Sequence, residues 1–168
     1  LGGAFSQEDA EMSNRFSVLE IQAFVNQLYG GRPTIIVPYG YTVTFNNMTA
    51  GATQSQILSI TANADFVLTH IKARTSDATL QTVSNKNAPY YRLLIVDSGS
   101  NEQYTNSAVD IENYSTNGNS GAAGILPYPR FISGRTALNM TLTSYTATAG
   151  TASCDIYLEG VLVRTYSS

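Results

Sequence analysis

Two runs near the C-terminus alternate with a period of two, and this constrains the fold more than any other feature. In residues 137–143, Leu138, Met140 and Leu142 fall on one face, and Asn139, Thr141 and Thr143 on the other. In residues 154–159, Cys154, Ile156 and Leu158 oppose Asp155, Tyr157 and Glu159. Successive side chains of a strand point to opposite faces, so each run predicts a half-buried β-strand. Gly160 interrupts the second run, as at a β-bulge, and Val161, Leu162 and Val163 resume it. The small-residue stretch 145–151 contains Gly150 and reads as a turn. The two strands are therefore expected to pair as a hairpin that closes one wall of an all-β sandwich. Just upstream, Pro127 and Pro129 each fix φ and remove a backbone donor. Residues 125–131 are accordingly expected to be extended and away from the middle of a sheet.

The chain has 168 residues, enough for one domain with a buried core and an appended arm. Charged residues make up only 12%, about half the usual share of roughly 25%. The polar surface must then come from Thr, Ser, Asn and Gln, which suit strands and turns better than helix faces. Net charge is −3 with no basic block, which argues against a nucleic-acid footprint. No apolar run approaches the roughly 20 residues of a membrane span. Cys154 is the one cysteine, so neither an intrachain disulfide nor a cysteine metal cluster can form. On the apolar face of its strand it reads as a small buried hydrophobe. The chain opens on Leu1, and the sequence is silent on a leader.

Residues 1–14 are polar, with Glu8, Asp9 and Glu11 clustered, and read as a flexible or partner-bound tail. Residues 17–29 carry the one helical pattern: Val18, Ile21, Val25 and Leu28 recur at helical spacing. Ser17 with Glu20 matches a capping box, and Gly30, Gly31 and Pro33 stop the helix. The other reading of this stretch is an extended arm laid along a neighbour. From Pro33 the pattern turns to strands. A short β-branched run at 35–37 is closed by Pro38 and Gly40; Tyr41, Val43 and Phe45 alternate, then Leu58, Ile60 and Ala62, then a strand over 66–73. Residues 76–88 read as loop with a short edge strand at 80–83. The run 90–96 is apolar on both faces, which predicts a central strand. Residues 97–124 form the longest irregular stretch, with a strand at 109–114, and insertions of that length are usually functional or mobile. Roughly eight short strands separated by turns indicate a sandwich or jelly roll. The expected division is 1–31 as tail and helix or arm, and 32–168 as the β-sandwich.

Candidate chemistry is sparse. His70 is the one histidine and lacks the second His or Cys that a typical transition-metal site requires. It reads as structural or surface-exposed. Asp65, Asp77, Asp97, Asp110 and Asp155 are scattered over turns and strand ends, with no carboxylate pair set by local spacing. Residues 118–124 are Gly-rich but lack the lysine and helix of a phosphate loop. Asn47, Asn113 and Asn139 begin glycosylation-type triplets of the kind an Asn/Ser/Thr-rich chain produces by chance. No catalytic, cofactor or metal residues are therefore expected, except that loop aspartates and carbonyls leave calcium open. Tyrosine is enriched, with 11 copies against no tryptophan. That suits protein interfaces, sugar stacking or sandwich-edge packing.

Three stretches carry a resemblance. They are Ala64-Asp65-Phe66-Val67-Leu68 leading into His70-Ile71-Lys72-Ala73, then Ile125-Leu126-Pro127-Tyr128-Pro129-Arg130-Phe131, and Asp155-Ile156-Tyr157-Leu158-Glu159-Gly160-Val161. In the order of elements they resemble the small jelly-roll proteins of tailed-bacteriophage virions, of head-decoration, collar or adaptor type. The resemblance spans residues 33–163 and brings no catalytic residues with it. It implies a jelly-roll-like antiparallel β-sandwich and a non-enzymatic structural subunit of the phage particle. Such a subunit would assemble as a symmetric homo-oligomer with other virion proteins, on the head or at the head-to-tail junction. The rival reading is a carbohydrate-binding sandwich of an adhesin or receptor-binding protein, whose partner would be a glycan.

Two structural expectations follow. Val43, Phe45, Leu58, Ile60, Phe66, Leu68, Leu94, Leu138, Met140, Leu142, Ile156 and Leu158 should lie between two sheets. Phe16, Val18, Ile21, Phe24, Val25 and Leu28 are too many apolar side chains for a helix in water, and a filled sandwich leaves them little room. They are the candidate subunit interface, the other reading being that the helix caps an open end of its own sandwich.

Overall fold

A helix and eight strands are seen in the computed structural model, which describes residues 16–77, 91–114, 124–145 and 151–166. The helix, α1 (Val18–Tyr29), begins where its caps dictate. Ser17 Oγ accepts from Glu20 N at 3.1 Å, and Glu20 Oε2 accepts from Ser17 N at 2.8 Å. These bonds satisfy two of the donors that every helix N-terminus leaves open. The helix ends at Gly30, whose φ of 59° is left-handed and open to glycine without strain.

The strands are β1 (Thr34–Met48), β2 (Thr53–Ser59), β3 (Asp65–Asp77), β4 (Tyr91–Asp97), β5 (Val109–Asp110), β6 (Gly124–Ile132), β7 (Ala137–Ser144) and β8 (Ala152–Thr165). They form two four-stranded sheets, ordered β1-β8-β3-β6 and β2-β7-β4-β5, with every neighbouring pair antiparallel. The pairings β1 with β8, β2 with β7, β3 with β6 and β4 with β5 are nested, as in one long hairpin rolled over on itself. This is the jelly-roll arrangement. Side chains from both sheets meet in one core that includes Phe45, Met48, Phe66, Leu68, Tyr91, Leu93, Ile132 and Leu142.

Several local expectations are corrected by long-range pairing. The runs 137–143 and 154–163 are strands, but they do not form a hairpin: β7 lies in one sheet and β8 in the other, and most of the turn expected at 145–151 lies outside the described residues. Gly160 keeps its register within β8, facing Tyr39 on one side and Leu68 on the other. The bulge sits across from it, on β3, where Thr69 is the extra residue between Leu68 and His70. That one residue reverses the alternation, so Ile71 rather than His70 joins Phe66 and Leu68 in the core. Residues 35–45 form one strand instead of two, and Pro38 is accommodated because β1 lies at a sheet edge. Leu94 points to the outer face of β4, while Tyr91, Leu93 and Ile95 are buried. Leu58 is half-buried against the core, and the remaining ten residues expected there are buried. Residues 109–114 give two strand residues and a 3₁₀ turn, Ile111–Asn113. The edge strand expected at 80–83 lies outside the described residues.

α1 crosses the outer face of the first sheet. The odd-numbered outer positions of β3 and β8, Val67, Val161 and Val163, form a small apolar platform with Ile36, and Val25 is fully buried on it. Ile21, Phe24 and Tyr29 pack around its rim.

Candidate functional site

The six residues expected to meet a neighbouring subunit divide along the helix. Val25 is covered by its own sheet and offers nothing to a partner, a correction to the expected interface. A valine platform on the outside of the sheet supplies the room that a two-layer sandwich was expected to lack. Ile21 and Phe24 are half-buried at the same contact. Phe16 is half-buried and meets the His70 ring edge-on at 6.3 Å. Val18 and Leu28 remain exposed, and Leu19 beside Val18 is 76% exposed.

The exposed apolar surface continues from Val18 onto β1. Ile36 and Pro38 share a depression with Val18 on the outer side of that strand. On its inner side Ile35, Val37 and Tyr39 stand 43–49% exposed, where the first sheet extends past the second. β1 and β2 are the adjacent edge strands at this side of the sandwich. Residues 33–64, which build both strands, contain no Asp, Glu, Lys, Arg or His. Exposed sheet edges are normally protected by charges, so a bare edge of this length is unusual. The charge gap is visible in the sequence, but its meaning depends on both strands proving to be edges.

A second surface lies across the sheet, where β6 leaves β3. Leu68 faces Arg130 and His70 faces Ile125, so one residue of β3 is spanned by four of β6. Residues 126–129 bow outward, and two of them are prolines with no donor to lose. The bow, the C-terminal half of α1 and the loop after β4 enclose a groove of about 940 Å³. Its aromatic lining is Phe24, Tyr104, Tyr114, Tyr128 and Phe131; its charged lining is Asp97, Glu102 and Arg130.

Local structure holds these groups in place. The loop after β4 is tight: Asp97 N donates to Glu102 O at 2.9 Å, Tyr104 N donates to Ile95 O at 3.0 Å, and Asn101 takes a left-handed φ of 57°. The buried Asp97 carboxylate accepts from Gly99 N at 2.8 Å. Arg130 lies over the Tyr104 ring, 4.3 Å from its centroid, with Glu102 at 4.0 Å. Burial, with Asp97 nearby, pushes the Tyr104 hydroxyl well above the usual tyrosine range. Among the described residues that hydroxyl has no hydrogen-bond partner. Tyr128 is 64% exposed yet steadied by Phe24, edge-on at 5.3 Å. Tyrosine enrichment, the long irregular stretch 97–124 and the prolines of 125–131 were separate hints of this groove in the sequence, but nothing local joined them to Phe24 on the helix.

His70 has a structural setting. Thr69 Oγ1 donates to Glu159 O at 3.0 Å and lies 2.7 Å from His70 Nδ1. A hydroxyl has one proton, so Nδ1 must be the donor in the second bond. Cys154 is fully buried, and burial raises its thiol to about 12, which leaves it inert as a nucleophile. Among the described residues no group of three or more His, Cys, Asp or Glu could hold a metal ion. No helix among them is long and apolar enough to cross a membrane. Compared with known proteins, the chain matches no family model, no curated protein and no solved structure.

Proposed function

We propose that this chain is a non-enzymatic structural subunit of a tailed-phage particle, assembling as a symmetric homo-oligomer with other virion proteins on the head or at the head-to-tail junction. The observation that carries the assembly role is the charge-free wall of β1 and β2, with Ile35, Val37 and Tyr39 exposed on it. The cores of protein interfaces are depleted in charge. In a symmetric contact between copies, a charge near the axis would also meet its own image, so a neutral wall suits self-association. The size is adequate. β1 has 15 residues, and at about 3.4 Å each, with sheets about 10 Å apart, the wall offers on the order of 500–800 Å² per partner. The virion assignment rests on the resemblance in residues 33–163.

The test is size-exclusion chromatography with light scattering on the whole chain, over a range of concentrations. The expected result is a discrete oligomer that Val37→Lys dissociates to a monomer with nearly unchanged melting. A monomer at every concentration, or an oligomer indifferent to Val37→Lys, would contradict the assembly role. Electron microscopy of particles with the labelled chain would locate it in the virion.

A further inference from the structure

We infer that the groove between α1, the β6 bow and the loop after β4 is a binding site for a neutral saccharide, carried by the same subunit. This goes beyond the assembly role and does not rest on it, since the groove and the charge-free wall belong to opposite edges of the first sheet.

Size is the first support. At about 940 Å³ the groove is the volume of a ligand site, of the order of 300–1,000 Å³ found for small-molecule pockets. It is too small to seat a folded domain and large enough for a short oligosaccharide.

The character of the lining is the second. Tyr128 offers a largely open ring that Phe24 already steadies, so little side-chain freedom remains to be lost on binding. The C–H face of a pyranose carries slight positive charge and is attracted to the negative face of such a ring. A purely apolar ligand would offer no hydrogen bond to Gln27, Asn113 or the acceptor sites that Asp97 and Glu102 have left. A hydroxyl-rich ligand can donate to the carboxylates and exchange bonds with the amides.

Charge narrows the class. The lining has two carboxylates, Asp97 and Glu102, against one guanidinium, Arg130. Arg130 is already engaged, lying on Tyr104 and beside Glu102. The balance is therefore against sialylated, sulfated or phosphorylated sugars and in favour of neutral ones. It equally disfavours acidic peptides.

The built-in irregularity is the third support. A regular β6 would pair with β3 throughout. Instead, residues 126–129 leave the ladder and place Tyr128 at the rim and Leu126 in the core, with Pro129 buried. Irregular strand segments of this kind commonly re-aim a side chain beside a site.

The experiment is saturation-transfer NMR on the whole chain with maltotriose, cellotriose, chitotriose, lactose and sialyllactose, preceded by an array of neutral and acidic glycans. The expected outcome is binding of one or more neutral glycans at millimolar or better affinity. Tyr128→Ala should weaken that binding at least tenfold while leaving melting temperature and oligomeric state unchanged. Arg130→Ala should weaken it less, because Arg130 acts through Tyr104. Three results would overturn the inference: no binding by any neutral glycan, preference for the acidic ones, or equal binding by Tyr128→Ala. Loss of oligomer in Val37→Lys with glycan binding intact would separate this site from the assembly surface.

Discussion

The Tyr29 hydroxyl, on the last residue of α1, donates to the Asp65 carboxylate, on the first residue of β3. Asp65 also accepts from Gly134 N at 2.7 Å, so one carboxylate ties the helix, a sheet and the turn before β7 together. Tyr29→Phe removes only the helix anchor and should cost about 1.5–3 kcal/mol, the range for bonds to charged groups, towards the lower end at this partly exposed site. Asp65→Ala should cost more, because it also strands the Gly134 N–H. Urea unfolding of both variants measures the difference. If Tyr29→Phe matches the parent, the helix is held by the valine platform and this bond adds nothing.

Alkaline pH should weaken the fold. Burial foremost, with Asp155 nearby, raises the Cys154 thiol to about 12. Burial, then the hydrogen bond and charge of Asp65, raises the Tyr29 hydroxyl, and burial with Asp97 raises that of Tyr104. In each case the native chain keeps a proton that the unfolded chain releases at lower pH. The native state then binds more protons, and stability falls as pH rises. The contribution is complete below the unfolded values, about 9–10, and is lost progressively above them. Melting temperature should therefore fall from about pH 9 upward, and less steeply in Cys154→Ala. A flat profile to about pH 11 would contradict this.

Core truncation should separate the two faces of the inner strands. Leu142 is fully buried between the sheets, so Leu142→Ala should cost about 2–5 kcal/mol. Leu94, one strand away, is half-buried on the outside of β4, and Leu94→Ala should cost under about half as much. Chemical denaturation of the pair gives the comparison, and equal losses would mean that something covers the outer face of β4.

Two glycines should respond differently to a methyl group. A Cβ on Gly160 would run into the Val67 carbonyl oxygen, which belongs to the paired backbone and cannot move without parting β3 from β8. Gly160→Ala should destabilise by about 1–3 kcal/mol or more. A Cβ on Gly40 would first meet the ring and hydroxyl of Tyr157, an exposed side chain that can swing away. Gly40→Ala should stay within about 1 kcal/mol. Thermal melts of the two variants decide the point; a mild Gly160→Ala would mean that β3 and β8 can separate at the bulge at little cost.

The sequence by itself determined whatever depends on neighbours a few residues apart. Ser17 and Glu20 start the helix and Gly30 ends it, because caps are local hydrogen bonds and local φ angles. Leu138, Met140 and Leu142, and likewise Cys154, Ile156 and Leu158, share buried faces because alternation is a property of the extended backbone itself. The tertiary structure alone decided what covers each face and which strands are neighbours. A strand's pattern reports that one side is apolar, not which partner pairs with it. β7 and β8 therefore carry the pattern of a hairpin but lie in different sheets, and the apolar Val25 is covered by Val67, Val161 and Val163. Thr69 shows the same limit within a strand. Nothing in its own neighbourhood marks it as a bulge, because it becomes one only when β8 pairs opposite with Gly160 in register. The groove is the extreme case: Phe24, Tyr104 and Tyr128 come together only through the wrap of the whole chain, which no local spacing encodes.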